Sequence, residues 1–215
     1  MKKIGMVFVL LFLTTGCFLL ERSINVTIGN KDQELSSGTY AILPFQDQRG
    51  SVSRDMGYDV VDAMTDAFET EFVGAGFKVV DRRNIQSALD ELKFSYQGDV
   101  DPDKRKQIGK LTNSDVMVIG KLRTFQNALY QDSQNPRKPT KCTSISFSVK
   151  AVHIETGEIL WTGSFVKSTG YKEDFMYGCS CNVLKYANRA ADDFIKTIVK
   201  KSATIKKNKK NNSDI

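Results

Sequence analysis

The sequence has little histidine, tryptophan or proline, and it lacks the short motifs that mark common catalytic sites. Its 215 residues include one histidine, one tryptophan and four prolines. It contains no G-x-x-x-x-G-K-[ST] or G-x-G-x-x-G loop for phosphate, and no G-x-S-x-G elbow for a nucleophilic serine. His153 therefore has no such serine to activate, and it lies near the end of a predicted strand. The sequence predicts that the protein is not an enzyme and uses no cofactor.

The apolar run at the N-terminus is too short to cross a membrane. It spans residues 4–13, about ten positions, whereas a spanning helix needs roughly 20 apolar residues. Two lysines precede it, and two threonines, a glycine and Cys17 follow it. This pattern is typical of a secretory signal, and the placement of the cysteine resembles the bacterial lipobox. We predict a lipoprotein signal peptide at 1–16 and acylation of Cys17, for example by palmitate; an ordinary signal with an incidental cysteine is the alternative.

The residues after the cysteine indicate where the anchor would reside. Phe18 stands where an aspartate favours retention in the inner membrane of many Gram-negative bacteria. The sequence therefore predicts a lipid anchor in the cell outer membrane, with the domain facing the periplasm. Residues 17–38 are largely polar and end in Ser-Ser-Gly. We interpret them as the lipidated N-terminus and a tether that contains one short strand, INVTI (24–28).

The positive charge is concentrated at the C-terminus. The formal net charge is +6, and residues 200–215 hold six lysines and one aspartate, so the remainder is close to neutral. A stretch rich in lysine and asparagine buries little apolar surface, and residues 201–215 are therefore predicted to be a disordered basic tail. The location of the charge and the export signal argue against nucleic acid as a partner.

Three cysteines remain after Cys17. Export permits disulfides, and we predict one bridge from Cys142 to either Cys179 or Cys181, with one thiol left over. Zinc held by these cysteines and His153 is the alternative, but only the Cys-x-Cys pair is close in sequence, and zinc sites usually show two such pairs. We therefore predict no metal site.

The apolar spacing predicts several helices. Apolar residues recur every four positions from Met56 to Phe72, so 52–73 is predicted as an amphipathic helix with acidic residues 62, 66, 69 and 71 on its solvated face. Asn84 is predicted to cap a second helix. Asp101 and Pro102 provide a cap and a first helical residue for a third. Ser180 or Asn182 is expected to start the last helix.

Strands are predicted between and after these helices, at 40–45, 77–82, 115–122, 144–154 and 159–168. The run at 115–122 is nearly all apolar, which indicates a central strand. The last two strands are joined by the turn ETGE and form an antiparallel hairpin. The order predicts an α/β fold over 39–200: a single-domain layered mixed sheet with an antiparallel C-terminal hairpin and helices packed on it.

Two residues of the predicted hairpin are assigned structural roles. Gly157, in the turn, is free to take a positive φ. Trp161, on the strand that follows, is predicted to pack in the core, and an anchor at a protein interface is the alternative.

Four segments occur in an order that resembles a known family. They are AILPF, GFKVVDRRNIQSALDELKFSYQG, IGKLTNSDVMVIGKL and VKAVHIETGEILWTGSF, of which VVDR with the following I-x-x-x-L-x-E-L and TGEILW are the most specific. The chain resembles the CsgG-like lipoproteins over residues 40–200. That family includes curli secretion, holdfast and flagellar accessory lipoproteins, and more remotely the lipoprotein activators of penicillin-binding proteins.

The resemblance implies a non-catalytic binding or assembly factor for an envelope complex. Its partners would be the membrane, through the lipid anchor, and an envelope protein or further copies of itself, with no small-molecule substrate evident. One alternative is a subunit of an oligomeric curli-type secretion channel. The stretches at which channel members insert hairpins, 123–141 and 166–180, show little of the expected apolar alternation. The other alternative is an activator of a penicillin-binding protein.

Overall fold

The computed structural model describes residues 22–29, 35, 37–49, 60–94, 100–131, 139–168 and 183–213. Within these ranges the chain forms seven strands and four helices. In chain order they are β1 (Arg22–Ile28), β2 (Thr39–Ile42), β3 (Gln46–Asp47), α1 (Val60–Gly74), β4 (Lys78–Val79), α2 (Arg82–Glu91), α3 (Pro102–Thr112), β5 (Val116–Gln131), β6 (Pro139–His153), β7 (Ile159–Ser168) and α4 (Val183–Ser213).

One mixed sheet joins all seven strands. Its order is β1-β7-β6-β5-β2-β4, and β3 also pairs with β5. The pairs β1–β7, β7–β6 and β6–β5 are antiparallel, whereas β5–β2, β2–β4 and β5–β3 are parallel. The predicted α/β class, with a mixed sheet and an antiparallel hairpin, is confirmed.

The antiparallel half of the sheet, formed by β1, β7 and β6, is buried on one face. Ile145, Phe147 and Val149 of β6 are buried, and the serines between them are half-buried on the opposite face. The buried side chains join the larger core under α1 and α4. Successive side chains of a strand point to opposite faces of the sheet. An alternation of apolar and polar residues is therefore enough to bury one face of this half.

In the parallel half, β2 and the start of β5 are buried on both faces, and β4 forms the edge. Val116 and Val118 of β5 belong to the larger core. Met117 and Ile119 belong to a second cluster with residues of α2 and α3. Two helix layers thus enclose β2 and the start of β5, which explains why these two strands are largely apolar.

Two glycines on the core face make room for aromatic rings. A Cβ at Gly120 of β5 would lie 2.5 Å from three ring atoms of Phe45, and one at Gly163 of β7 would lie 2.8 Å from the ring of Phe194. The rings of Phe45, Phe68 and Phe147 then meet with centroids 4.9–6.2 Å apart. The absence of a side chain at these two glycines therefore allows the aromatic rings to pack directly against the strands.

The helix starts agree with the sequence at one position and differ at another. Asp101 caps α3 by accepting from the Asp103 N–H at 2.9 Å, with Pro102 as the first helical residue. The prediction that Asn84 caps α2 was wrong. Asp81 is the cap and accepts from the Arg83 N–H at 2.9 Å, and this backbone hydrogen bond lowers the pKa of Asp81.

Three segments extend further than the sequence predicted. The strand expected at INVTI is present as β1 and begins earlier, at Arg22, and its Ile24, Val26 and Ile28 alternate and pack on the larger core. The hairpin of β5 and β6 runs on to the pair Gln131 and Pro139, through the stretch 123–141. Helix α4 continues to Ser213 through the predicted tail, because each residue added to an established helix gains one hydrogen bond.

Candidate functional site

The structure does not test the predicted lipid and thiol chemistry. Cys17, Cys179 and Cys181 lie outside the described residues. Cys142 belongs to β6, where its Cα is paired with that of Ala128, and its side chain lies outside the described part. The lipid anchor and the disulfide therefore remain predictions.

The turn between β6 and β7 is closed by hydrogen bonds. Gly157 has a φ of +76°, the left-handed value that the turn predicts for it, and its N–H donates to the His153 carbonyl at 2.9 Å. The half-buried His153 accepts at Nδ1 from the Thr156 N–H at 3.3 Å. Arg105 of α3 donates from Nε to the Ile154 carbonyl at 2.8 Å. The histidine is thus a structural part of the turn.

Trp161 lies in the core and not at an exposed surface. Its side chain is 0 % exposed, and its ring centroid lies 6.2 Å from that of Phe72 and 6.1 Å from that of Phe194. The indole Nε1 has no hydrogen-bond partner among the described residues. The alternative of an exposed interface anchor does not fit this burial.

The acidic face of α1 is less solvated than the sequence predicted. Arg82, the first residue of α2, pairs with Asp62 and Asp66 and so links the two helix layers beside β4, the strand at that edge of the sheet. Glu69 is half-buried, and its Oε1 has no partner in the described part of the chain. Burial raises the pKa of Glu69 to about 7, although the charge of Arg82 partly opposes the shift.

The opposite edge of the sheet, β1, pairs with no strand besides β7 in the described part of the chain. The Gly29 N–H donates to the Leu160 carbonyl of β7 at 2.8 Å. Because N–H and C=O groups alternate in direction along an antiparallel strand, those of Ile24, Val26 and Ile28 face away from β7. The Val26 carbonyl accepts from Lys201 Nζ of α4 at 2.7 Å, which agrees with this assignment.

A groove of about 790 Å³ separates β1 from the second half of α4. We call it the β1–α4 groove. Val26, Thr27 and Ile28 line it on the strand side. On the helix side it is lined by Asp193, Lys196, Thr197, Lys200, Lys201, Thr204 and Ile205. It therefore combines backbone hydrogen-bonding groups, apolar side chains and three lysines.

The helix side of this groove was missed from the sequence because Lys201 and Ile205 were assigned to a disordered tail. A signal was nevertheless present. Ile198 is buried, and Ser202 and Ile205 are half-buried, which continues the spacing of three and four residues that is typical of a helix face.

Two common kinds of site have no counterpart in the described ranges. No three residues of the types His, Cys, Asp and Glu come together there in a way that could hold a metal ion. No helix in those ranges combines the length and the apolar character required to cross a bilayer.

The fold is that of a mixed α/β domain with an open sheet. The family model described as "Curli production assembly/transport component CsgG" matches residues 22–195. The chain belongs to this family. No curated protein sequence matches the chain significantly.

Several solved structures are similar to the chain at low sequence identity. Lipoprotein GNA1162 from Neisseria meningitidis is 14 % identical, with a TM-score of 0.51 over 77 % of this chain and 98 % of that one. A PelC dodecamer from Paraburkholderia phytofirmans is 7 % identical, with a TM-score of 0.44 over 81 % and 94 %. The LpoB C-terminal domain from Escherichia coli is 13 % identical, with a TM-score of 0.41 over 61 % and 83 %.

Proposed function

We propose that the protein is an outer-membrane lipoprotein, anchored through Cys17, whose periplasmic domain is a non-catalytic assembly factor of an envelope complex. The family match carries this proposal, because it covers residues 22–195 and the family model is that of a curli production assembly and transport component. The β1–α4 groove supports it, since the groove offers groups that bind a protein segment and no cluster of reacting side chains.

The distance from Cys17 to the domain supports the anchored arrangement. Arg22 begins β1 only five residues after Cys17, and five extended residues reach at most about 18 Å. Acyl chains on Cys17 would therefore hold the start of β1 close to the membrane. Because β1 runs from Arg22 to Ile28, the groove lies at the end of the strand that is farther from the anchor.

The anchor is tested by metabolic labelling with radioactive palmitate followed by membrane fractionation. We expect the wild-type chain to take up label and to sediment with outer membranes, and Cys17→Ala to lose the label. Cys142→Ala is the matched control, because it also removes one thiol and should keep the label. Undiminished labelling of Cys17→Ala would exclude acylation at this residue.

The assembly role is tested by crosslinking intact cells and sizing the solubilised complexes. We expect the chain to migrate in a crosslinked complex larger than its monomer, and Cys17→Ala to reduce that complex because the chain is no longer held at the membrane. Only monomeric chain after crosslinking would contradict an assembly role. Recovery of a penicillin-binding protein as the stoichiometric partner would instead identify an activator of wall synthesis.

A second candidate, a subunit of an oligomeric secretion channel, is favoured by the length of the β5–β6 hairpin. These strands have 16 and 15 residues, and they remain paired to Gln131 and Pro139. Conductance of the purified full chain in planar bilayers tests this candidate. Conductance that disappears when residues 126–143 are deleted would support it, and its absence from the wild-type chain would leave the assembly role.

A further inference from the structure

We infer that the β1–α4 groove binds an extended, acidic segment of a partner protein as an additional strand on β1. The inference rests on the proposed assembly role and assigns the chemistry of the partner. Four properties of the groove carry it: an unpaired strand edge, an apolar floor, an adjacent helix and an excess of lysine.

The unpaired edge supplies the hydrogen bonds for an added strand. The N–H and C=O groups of Ile24, Val26 and Ile28 face away from β7, as the direction of the Gly29 N–H requires. These three residues are every second residue of β1. An antiparallel strand added beside β1 would also present the N–H and C=O groups of every second residue, so the two sets of groups could pair. Main-chain bonds of this kind provide affinity in strand addition, and pockets for alternate side chains provide specificity.

The helix supplies the second wall of the groove. Among the side chains of α4 that the structure describes, Ile198 is the last fully buried one. The helix continues from there to Ser213, a length of roughly 22 Å at 1.5 Å per residue. Val26 and Ile28 line the groove on the strand side, and Ile205 lines it on the helix side. A guest strand would therefore place every second side chain between the sheet edge and α4, on the side of the groove that Lys200 and Lys201 line.

The charges in the groove favour an acidic guest. Lys196 pairs with Asp192 at 2.8 Å. In the described part of the chain, Lys200 and Lys201 have no carboxylate within 4 Å, and Lys201 donates to the Val26 carbonyl instead. A guest N–H would replace Lys201 at that carbonyl, and the released ammonium would then be available to a guest carboxylate. The lysine would thus exchange a carbonyl acceptor for a carboxylate, so the charge-assisted bond that it loses on release is regained in the complex.

The same lysines disfavour the other occupants. Two copies that met edge to edge through β1 would bring Lys200 and Lys201 of each copy together, and lysines at exposed edges oppose such pairing. An anionic lipid headgroup would satisfy the ammonium groups but has no row of N–H groups for the carbonyls of β1. An acidic protein segment can pair with the ammonium groups through its carboxylates and with the carbonyls of β1 through its backbone N–H groups.

The inference is tested with a fluorescein-labelled peptide, EVEVEVE, and the purified full chain in detergent, read out by fluorescence anisotropy. We expect saturable binding of this peptide and none of KVKVKVK. The variant K200E/K201E should weaken binding by about tenfold or more, because two charge pairs become repulsive. The matched control is K206E/K207E, which makes the same charge change on exposed positions of α4 outside the groove, and it should change affinity by less than about twofold.

N-methylated peptides separate strand addition from simple charge attraction. EVEVEVE methylated on the amides of its glutamates has one blocked edge, and EVEVEVE methylated on the amides of its valines has the other. We expect one of the two to lose binding, because only one edge of the guest faces β1. Equal binding of both would show that no strand is added and would overturn the inference.

Further outcomes would also overturn it. Absence of EVEVEVE binding, or equal binding by K200E/K201E, would remove the groove as the site. Sedimentation of phosphatidylglycerol vesicles with the chain in a Lys200- and Lys201-dependent manner, in competition with the peptide, would assign the groove to lipid. Self-association that K200E/K201E abolishes, without peptide binding, would assign it to a second copy. Because the assay requires neither Cys17 acylation nor a cellular complex, its failure leaves the proposed function to its own tests.

Discussion

The two halves of the sheet differ in whether adjacent residues of a strand are both buried. In the parallel half, Val116, Met117, Val118 and Ile119 of β5 are all buried, alternately in the two clusters. In the antiparallel half, Trp161 and Phe165 of β7 are buried, whereas the residues that follow them, Thr162 and Val166, are exposed. The comparison teaches that the number of covered faces decides the sequence pattern of a strand. A strand covered on both faces is an apolar run, and a strand covered on one face alternates between apolar and polar residues.

The largest expected effect is on the covered face of the antiparallel half. Trp161→Ala should lower the free energy of unfolding by about 3–5 kcal/mol, because it removes a fully buried indole and leaves a cavity. Thr162→Ala, one residue along β7 on the open face, should lower it by about 1 kcal/mol or less, because it loses only the long hydrogen bond to the Val149 carbonyl at 3.4 Å. Urea denaturation of the full chain in detergent, monitored by circular dichroism, measures both. Similar losses for the two variants would contradict one-sided burial of β7.

The parallel half should respond at both of two adjacent positions. Met117→Ala should cost about 2–4 kcal/mol and Val118→Ala about 2 kcal/mol, because each truncates a fully buried side chain in a different cluster. The same denaturation experiment tests them beside the Trp161 and Thr162 pair. If Met117→Ala were neutral, the cover formed by α2 and α3 would not be packed on β5.

Local features of the fold could be predicted from the sequence because they depend on neighbouring residues. The cap at Asp101, the turn with Gly157 and the alternation at 144–154 each need only a few adjacent positions. Strand β1 could not be predicted in full, because its order comes from pairing with β7, more than 130 residues away. The polar ends of β5 and β6 pair with each other for the same reason, although neither reads as a strand alone.

The candidate site was harder to predict than the fold. The groove joins residues 26–28 to residues 193–205, and nothing in either segment indicates the other. Lysines near a C-terminus are typical of a solvated tail, so Lys201 was assigned to disorder although it donates to the Val26 carbonyl. The half-buried Glu69 was missed because its helix spacing from Asp62 and Asp66 indicates one common solvated face.

A smaller effect is expected in the centre of the sheet, on β5, where the two halves meet. Gly120→Ala should cost about 1–3 kcal/mol, because its Cβ would lie 2.5 Å from ring atoms of Phe45, and an overpacked core has to shift. Gly74→Ala is the control, since a Cβ at that exposed position meets nothing within 4 Å. It should stabilise the protein by about 0.4–1 kcal/mol. Destabilisation by both variants would point to a general intolerance of side chains and not to the Phe45 contact.

The smallest expected effect concerns the sheet edge beside β4. We call it the closed edge because Arg82 links the two helix layers there, in contrast to the open edge at β1. At the closed edge, burial raises the pKa of Glu69 to about 7, above its value in the unfolded chain. The folded state therefore binds more protons than the unfolded state between pH about 4.5 and about 7, so stability declines as pH rises through this window. After allowance for the exposed part of the carboxylate, the decline attributable to Glu69 should be about 1 kcal/mol.

Glu69→Gln should remove that part of the pH dependence, which makes the variant more stable than the wild type at pH 8 and equal to it at pH 4. Glu91→Gln, on the exposed face of α2, should leave the profile unchanged. Parallel stability profiles for wild type and Glu69→Gln would show that Glu69 ionises in the folded protein as it does in water, and that the closed edge is as accessible to solvent as the open one.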